Sequence, residues 1–171
     1  MGEGNGLKRY FSQRLFAFTG AALLALSGGA VAADWVSVGP GCRMWNPFPE
    51  RNESFVWNGK CENGLADGPG NVIEKNAANR VETIGYGTWT QGKLHGDYYY
   101  EKDGFTCYEQ KFYGVAKQTL CVGGDGRATL RAVDNLGRAV EPMRPLTPEE
   151  TALYSVVLEK IATKGYIVAG R

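Results

Sequence analysis

Four cysteines, Cys42, Cys61, Cys107 and Cys121, are the residues of this chain best suited to covalent chemistry. They follow one another at intervals of 19, 46 and 14 residues, so no pair has the C-x-x-C spacing of a redox or zinc motif. An even number of cysteines in a small exported chain favours disulfides, and four cysteines allow three connectivities. We expect the pairing that closes the shortest loops, Cys42 with Cys61 and Cys107 with Cys121, in a structural role.

Acid–base catalysis has few candidate residues here. His95 is the only histidine, and no serine or cysteine near it has a recognisable nucleophile context. Two acidic pairs invite comparison with glycosidase carboxylates, but Glu101 and Asp103 bracket a predicted turn, while Glu149 and Glu150 begin a predicted helix. We therefore predict a protein that is not an enzyme, with no catalytic residue, no metal site and no cofactor.

The N-terminus has the pattern of an export signal. Residues 1–14 are polar with three basic side chains, and residues 15–26 form an apolar run of a signal peptide's length, shorter than a membrane span. Ala30 and Ala32 supply the small side chains that precede a cleavage site. We predict that residues 1–32 are removed and that the protein is periplasmic or secreted, with no stable membrane span after cleavage. The alternative is an uncleaved N-terminal anchor.

Charge excludes some classes of partner for residues 33–171. The chain has 19 basic and 18 acidic residues, of which residues 1–32 contain three and one, so the remaining charge is nearly balanced. Neither a nucleic-acid binder nor a polybasic membrane-surface protein is indicated.

A sequence pattern with regularly spaced glycines occurs twice in the chain. After Trp57, glycines fall at offsets +2, +7, +11 and +13, and the copy that starts at Gly85 repeats the first three offsets. The residues concerned are Gly59, Gly64, Gly68 and Gly70 in the first copy, and Gly87, Gly92 and Gly96 in the second. Each copy predicts a β-hairpin whose turn is Asn63-Gly64 or Gln91-Gly92. We also interpret Val72 to Ile84 and Tyr98 to Tyr100 as strands.

These two repeated segments resemble MORN repeats. The segment from Thr88 to Gly96, T-W-T-Q-G-K-L-H-G, matches the central part of that motif, and the resemblance covers residues 42–98, with an eroded continuation to 114. It implies a single elongated sheet of stacked hairpins that serves as a scaffold or binding surface. It also implies structural roles for Trp57, Trp89, His95 and the repeated glycines.

The C-terminal part has a different character, and residues 142–171 are expected to form a linker and a capping helix. Thr147 and Glu150 make a capping box, with proline at the first helical position. The helix is predicted from 148 to 163, and its apolar stripe consists of Leu153, Val156, Val157 and Ile161.

Aromatic residues are the remaining functional hint. Trp89, Tyr98 and Tyr100 are a candidate binding face, because alternation separates Tyr98 and Tyr100 from Tyr99. The competing interpretation is that such rings form the sheet's own aromatic ladder.

Together these patterns predict a mainly β protein. A meander of antiparallel hairpins is expected over residues 33–141, stapled by disulfides and followed by one helix. The expected role is a non-catalytic interaction or scaffold module with a protein or glycan partner in the cell envelope. The alternative is a periplasmic inhibitor or carbohydrate-binding protein that uses its aromatic face; a small hydrolase is a third, less favoured reading.

Overall fold

The computed structural model describes residues 33–112, 114–134 and 138–167, and the expected signal segment 1–32 lies outside them. Within these ranges, twelve strands and two helices follow one another. The strands are β1 Asp34–Gly39, β2 Cys42–Asn46, β3 Ser54–Trp57, β4 Lys60–Glu62, β5 Leu65–Lys75, β6 Val81–Thr90, β7 Lys93–Leu94, β8 Gly96–Lys102, β9 Phe105–Lys111, β10 Gln118–Val122, β11 Ala128–Ala132 and β12 Arg144–Pro145; the helices are α1 Pro148–Leu153 and α2 Ser155–Thr163.

The strands form one sheet, which confirms the mainly β prediction. Its order is β1-β2-β5-β6-β8-β9-β10-β11-β12, with β3 and β4 also paired to β5 and β7 paired to β6. All pairings are antiparallel except one parallel contact between β2 and β5 at Arg43 and Leu65. The expectation of strand from Val72 to Ile84 is wrong in its middle, where residues 76–80 turn the chain between β5 and β6.

The two predicted hairpin turns are confirmed by their backbone angles. Asn63 and Gly64 have φ values of 51° and 78°, and Gln91 and Gly92 have values of 50° and 77°. Positive φ at both central residues is the requirement of a type I′ turn, which matches the twist of the strands it joins.

Strand β2 ties these two hairpin tips together. The Arg43 N–H donates to the Gly64 carbonyl at 3.0 Å, and two residues later the Trp45 N–H donates to the Gly92 carbonyl at 2.8 Å. The Gly92 N–H in turn donates to the Ala66 carbonyl at 2.8 Å. The tips are therefore fixed side by side through backbone hydrogen bonds.

Both expected disulfides are present. Cys42–Cys61 joins β2 to β4 beside the first hairpin tip, and Cys107–Cys121 joins directly opposed residues of β9 and β10. Such covalent closure stabilises a small domain chiefly by constraining its unfolded chain. Two disulfides fit a protein that folds in an oxidising, exported compartment.

Glycines on β5 and β6 leave room for aromatic rings from neighbouring strands. The ring of Trp57 lies where a Cβ on Gly70 would stand, and the ring of Tyr98 lies where a Cβ on Gly85 would stand. In the first copy the ring is at offset 0 and the glycine at +13; in the second the glycine is at offset 0 and the ring at +13. The two copies thus preserve the contact while exchanging its partners.

The C-terminal helix prediction needs two corrections. The helix is interrupted at Tyr154, which separates α1 from α2, although the Thr147–Glu150 capping box is present as expected. The side chains that pack on the sheet are Tyr154, Val157, Leu158 and Ile161, whereas Leu153 and Val156 are 76% and 62% exposed. The buried stripe is thus rotated by one residue from the predicted one, because the large ring of Tyr154 packs inward and sets the helical phase.

The segment after residue 142 is also more than a linker. Arg144 and Pro145 pair with Leu130 and Thr129 as strand β12. Arg144 then forms a bidentate ion pair with Glu150 at 2.7 Å. This short strand anchors the start of α1 to the last strands of the sheet.

A first prediction concerns the ring-over-glycine contact. Replacing Gly70 with alanine forces the Trp57 ring to move, and such overpacking is expected to lower the free energy of unfolding by about 1–3 kcal/mol in urea denaturation. Gly124→Ala is the control, because no atom lies within 4 Å of a Cβ there. Equal unfolding free energies for the two variants would show that the Trp57–Gly70 contact does not constrain the fold.

A second prediction concerns acid. Hydrogen bonds from Arg144 and from the Thr147 N–H lower the pKa of Glu150 to about 2. The stability from this carboxylate is therefore complete above its unfolded pKa of about 4.3 and is lost as the pH falls towards 2. Between pH 4.5 and 2.5, the melting temperature of the wild type should fall more than that of Glu150→Gln. Glu159→Gln should behave like the wild type, and parallel curves for all three proteins would refute the linkage.

Candidate functional site

The predicted aromatic residues form a continuous ladder on one face of the sheet, here called the ladder face. Trp57 meets Trp89 edge-on with ring centroids 4.7 Å apart, and Trp89 meets Tyr98 edge-on at 6.1 Å. Tyr98 then stacks on Tyr100 at 5.5 Å. Edge-to-face and offset contacts of this kind are the favourable arrangements of aromatic quadrupoles.

The ladder is mostly buried. Trp89 is only 3% exposed, and Tyr98 and Tyr100 are half-buried. Burial raises the pKa of both tyrosines well above the ordinary value, with a further contribution from the negative charge of Glu109. Trp89 and Tyr98 nevertheless reach a concave surface with part of their rings, whereas Tyr100 supports them from the side.

A polar cluster lies beside the ladder on the same face. The Thr119 hydroxyl donates to Glu109 Oε1 at 2.7 Å, the Tyr100 hydroxyl donates to the same oxygen at 3.4 Å, and Lys111 forms an ion pair with Glu109. The side chains of Glu109 and Lys111 are 11% and 13% exposed. Lys111 Nζ also lies 6.0 Å from the centroid of Tyr98. Sequence analysis missed this cluster, although alternation along β9 places residues 109 and 111 on one face.

The first concave surface, here called the aromatic cleft, lies between the ladder face and the segment that follows β2. Its volume is about 260 Å³. Its aromatic lining consists of Trp45, Phe48, Phe55, Trp89 and Tyr98, its lining carboxylates are Glu50 and Glu74, and Lys111 is its lining cation. Burial raises the pKa of Glu74, while a hydrogen bond from Thr83 and the charge of Lys102 lower it to a smaller extent.

The second concave surface, here called the helix groove, lies on the opposite face of the sheet. The helices cover Tyr86, Tyr99 and part of Tyr108 but leave a cavity of about 900 Å³ beside Tyr154. Its apolar lining consists of Tyr108, Phe112, Val115, Leu120, Leu130 and Tyr154, and its polar lining of His95, Gln110, Lys111, Lys117 and Gln118. The Tyr154 hydroxyl donates to Gln118 Oε1 at 2.7 Å and fixes the helix edge of the groove.

His95 occupies a structural position at the rim of the helix groove. Its backbone N–H donates to the Thr88 carbonyl at 2.9 Å, and its ring lies tilted against Phe112 with centroids 5.3 Å apart. The acidic pairs are engaged elsewhere: Glu101 accepts a hydrogen bond from the Tyr166 hydroxyl at 2.6 Å, and Glu150 caps α1. The structure therefore does not bring His95 and these carboxylates into one constellation.

The glycines singled out by the repeat divide into three structural kinds. Gly64 and Gly92 occupy turns, Gly68 and Gly96 have positive φ values of 80° and 86°, and the others lie under side chains. The last kind comprises Gly59 and Gly70 under Trp57, and Gly87 against Leu94 and Tyr98.

Comparisons with protein-family models, curated proteins and solved structures gave no match. The MORN resemblance accordingly stays a prediction from the residues. Over the described ranges, no group of three or more His, Cys, Asp or Glu side chains is placed to hold a metal ion. In the same ranges, no helix is long and apolar enough to cross a membrane.

A third prediction tests the polar cluster. Glu109→Gln removes the charge that neutralises Lys111 in a nearly buried position, and the loss of one partner of such a pair is expected to cost about 3–5 kcal/mol. Urea denaturation provides the measurement. Glu62→Gln breaks the exposed Lys60–Glu62 pair and should change stability by less than about 1 kcal/mol. Similar losses in both variants would refute the distinction.

Proposed function

We propose that the protein is an exported, non-catalytic interaction module that binds a partner protein of the cell envelope through the helix groove. The observation that carries this proposal is the groove's size together with its apolar lining: at about 900 Å³ it falls within the range of true ligand sites, and Leu120 and Leu130 contribute to its walls. The pattern of residues 1–32 and the two disulfides support export to the periplasm or the medium.

Exposed apolar side chains around the groove support a protein partner. Phe112 is 69% exposed and Val115 is 37% exposed, and both line the groove. Leu153 and Val156 flank Tyr154 in the chain and are also exposed. Clustered exposed apolar residues with a polar rim are typical of protein-interaction sites.

The chemistry of the groove specifies the partner further. Lys117 supplies the positive charge available to a ligand, because Lys111 is ion-paired with Glu109, and no carboxylate is part of the lining. The Gln110 amide can pair with main-chain groups of a bound segment. We therefore assign the groove to an extended partner segment that carries apolar side chains and a carboxylate.

The fourth prediction tests this assignment by cross-linking and capture. The protein, isolated with both disulfides formed, is incubated with its native envelope fraction beside two variants. Phe112→Ser removes the exposed ring of the groove. Val81→Ser is the matched control, because Val81 is 55% exposed and is not part of the groove lining. A partner should be captured by the wild type and the control, and at least tenfold less by Phe112→Ser.

Equal capture by all three proteins, or no capture above background, would overturn the groove as the binding site. The captured partner is then titrated in purified form against the same three proteins. A difference in affinity between wild type and Phe112→Ser is required there as well, because co-purification alone does not establish direct binding.

A further inference from the structure

The aromatic cleft is a second cavity, formed on the other face of the sheet, and it shares Lys111 with the lining of the helix groove. Its volume of about 260 Å³ lies below the roughly 300–1,000 Å³ of pockets for drug-sized ligands. A cavity of this size suits one inserted side chain. Aromatic rings form its walls, and Glu50 and Glu74 are its lining acids.

Glu50 and Glu74 form no salt bridge within the described part of the chain. Lys111 is the cation of the cleft lining, but it is paired with Glu109, and the nearby Lys102 Nζ lies 2.7 Å from Glu82 Oε1. Glu53 adds a third negative charge near them, and the repulsion among these carboxylates contributes to a raised pKa for Glu53 after the larger effect of burial. A positive group in the cleft would relieve both repulsion and burial of uncompensated charge.

Two lysine ammonium groups already lie near aromatic rings of the cleft. Lys93 Nζ lies 5.6 Å from the centroid of Trp45, and Lys111 Nζ lies 6.0 Å from that of Tyr98. Both distances fall within the range of cation–π attraction, which strengthens when the cation is desolvated.

The same rings are poorly arranged to stack on a neutral sugar. Stacking needs an open ring face, but Tyr98 has Tyr100 stacked on it and also lies over Gly85. Trp89 is 3% exposed and contacts Trp57 and Tyr98 edge-on. Trp89 and Tyr98 therefore offer no open platform to a sugar ring, and a cation in the cleft is bound chiefly by the carboxylates.

From this geometry we infer that the aromatic cleft receives a basic side chain, arginine or lysine, inserted by a partner polypeptide. The guanidinium or ammonium group lies between the aromatic walls and pairs with Glu74 and Glu50. Nothing in this assignment depends on the occupant of the helix groove.

The test uses Nα-acetyl-arginine methylamide as the probe and Nα-acetyl-citrulline methylamide as its neutral isostere. Both are titrated into the ¹⁵N-labelled, disulfide-bonded protein while backbone and tryptophan indole resonances are followed. The arginine probe should give saturable shifts at Trp45, Trp89 and Glu74, and the citrulline probe should bind at least fivefold more weakly.

Variants separate the cleft's charge from its shape. Glu74→Gln should weaken arginine binding at least fivefold, whereas Glu159→Gln on the exposed surface of α2 should leave it unchanged. If Glu74→Gln does not fold, Glu50→Gln replaces it, because the Glu50 side chain is exposed.

Several outcomes would overturn the inference: equal binding of the citrulline probe, stronger binding of methyl N-acetylglucosaminide than of the arginine probe, or no shifts at the cleft. Shifts confined to Phe112 and Tyr154 would overturn it too, but they would leave the helix groove intact as a binding site. The two proposals can therefore fail separately.

Discussion

The arrangement of this sheet depends on a steric constraint: on the ladder face, the rings of Trp57 and Tyr98 each need a glycine on the adjacent strand. Trp57 lies over Gly70, and Tyr98 lies over Gly85. In the first copy the ring is at offset 0 and the glycine at +13, and in the second copy these two positions are exchanged. The repeat thus preserves a spatial contact more faithfully than it preserves residue identity at each offset.

The apolar residues on the two faces of the sheet are covered by different parts of the chain. On the ladder face, aromatic rings pack against one another and against the N-terminal strands, around Val38, Met44 and Val72. On the other face, Tyr86, Tyr99 and Leu120 are covered by α2 and Tyr166. Neither face is completely covered, and the aromatic cleft and the helix groove are the cavities that remain. Among the described residues, the carboxylates of the aromatic cleft have no salt-bridge partner, and the helix groove has Lys117, so the two surfaces favour ligands of opposite charge.

Much of this fold follows from local signals in the sequence. The Asn63-Gly64 and Gln91-Gly92 turns, the capping box at Thr147 and the short-loop disulfides each depend on a few neighbouring residues, and all are present as expected. The failures depend on contacts between distant residues. The helical phase is set by Tyr154, which packs against a sheet built from residues far away in the chain. The ring-bearing residues of the cleft were visible in the sequence, but Phe48 and Phe55 join Tyr98 only through the tertiary fold.

The central claim is that the aromatic residues of the ladder face act as one packed unit, and a double-mutant cycle between Trp57 and Trp89 tests it most directly. Their ring centroids are 4.7 Å apart. Unfolding free energies of Trp57→Leu, Trp89→Leu and the double variant should reveal a coupling of about 0.5–1.5 kcal/mol. Additivity of the two substitutions to within about 0.3 kcal/mol would contradict the account, because it would show that the rings stabilise the sheet independently.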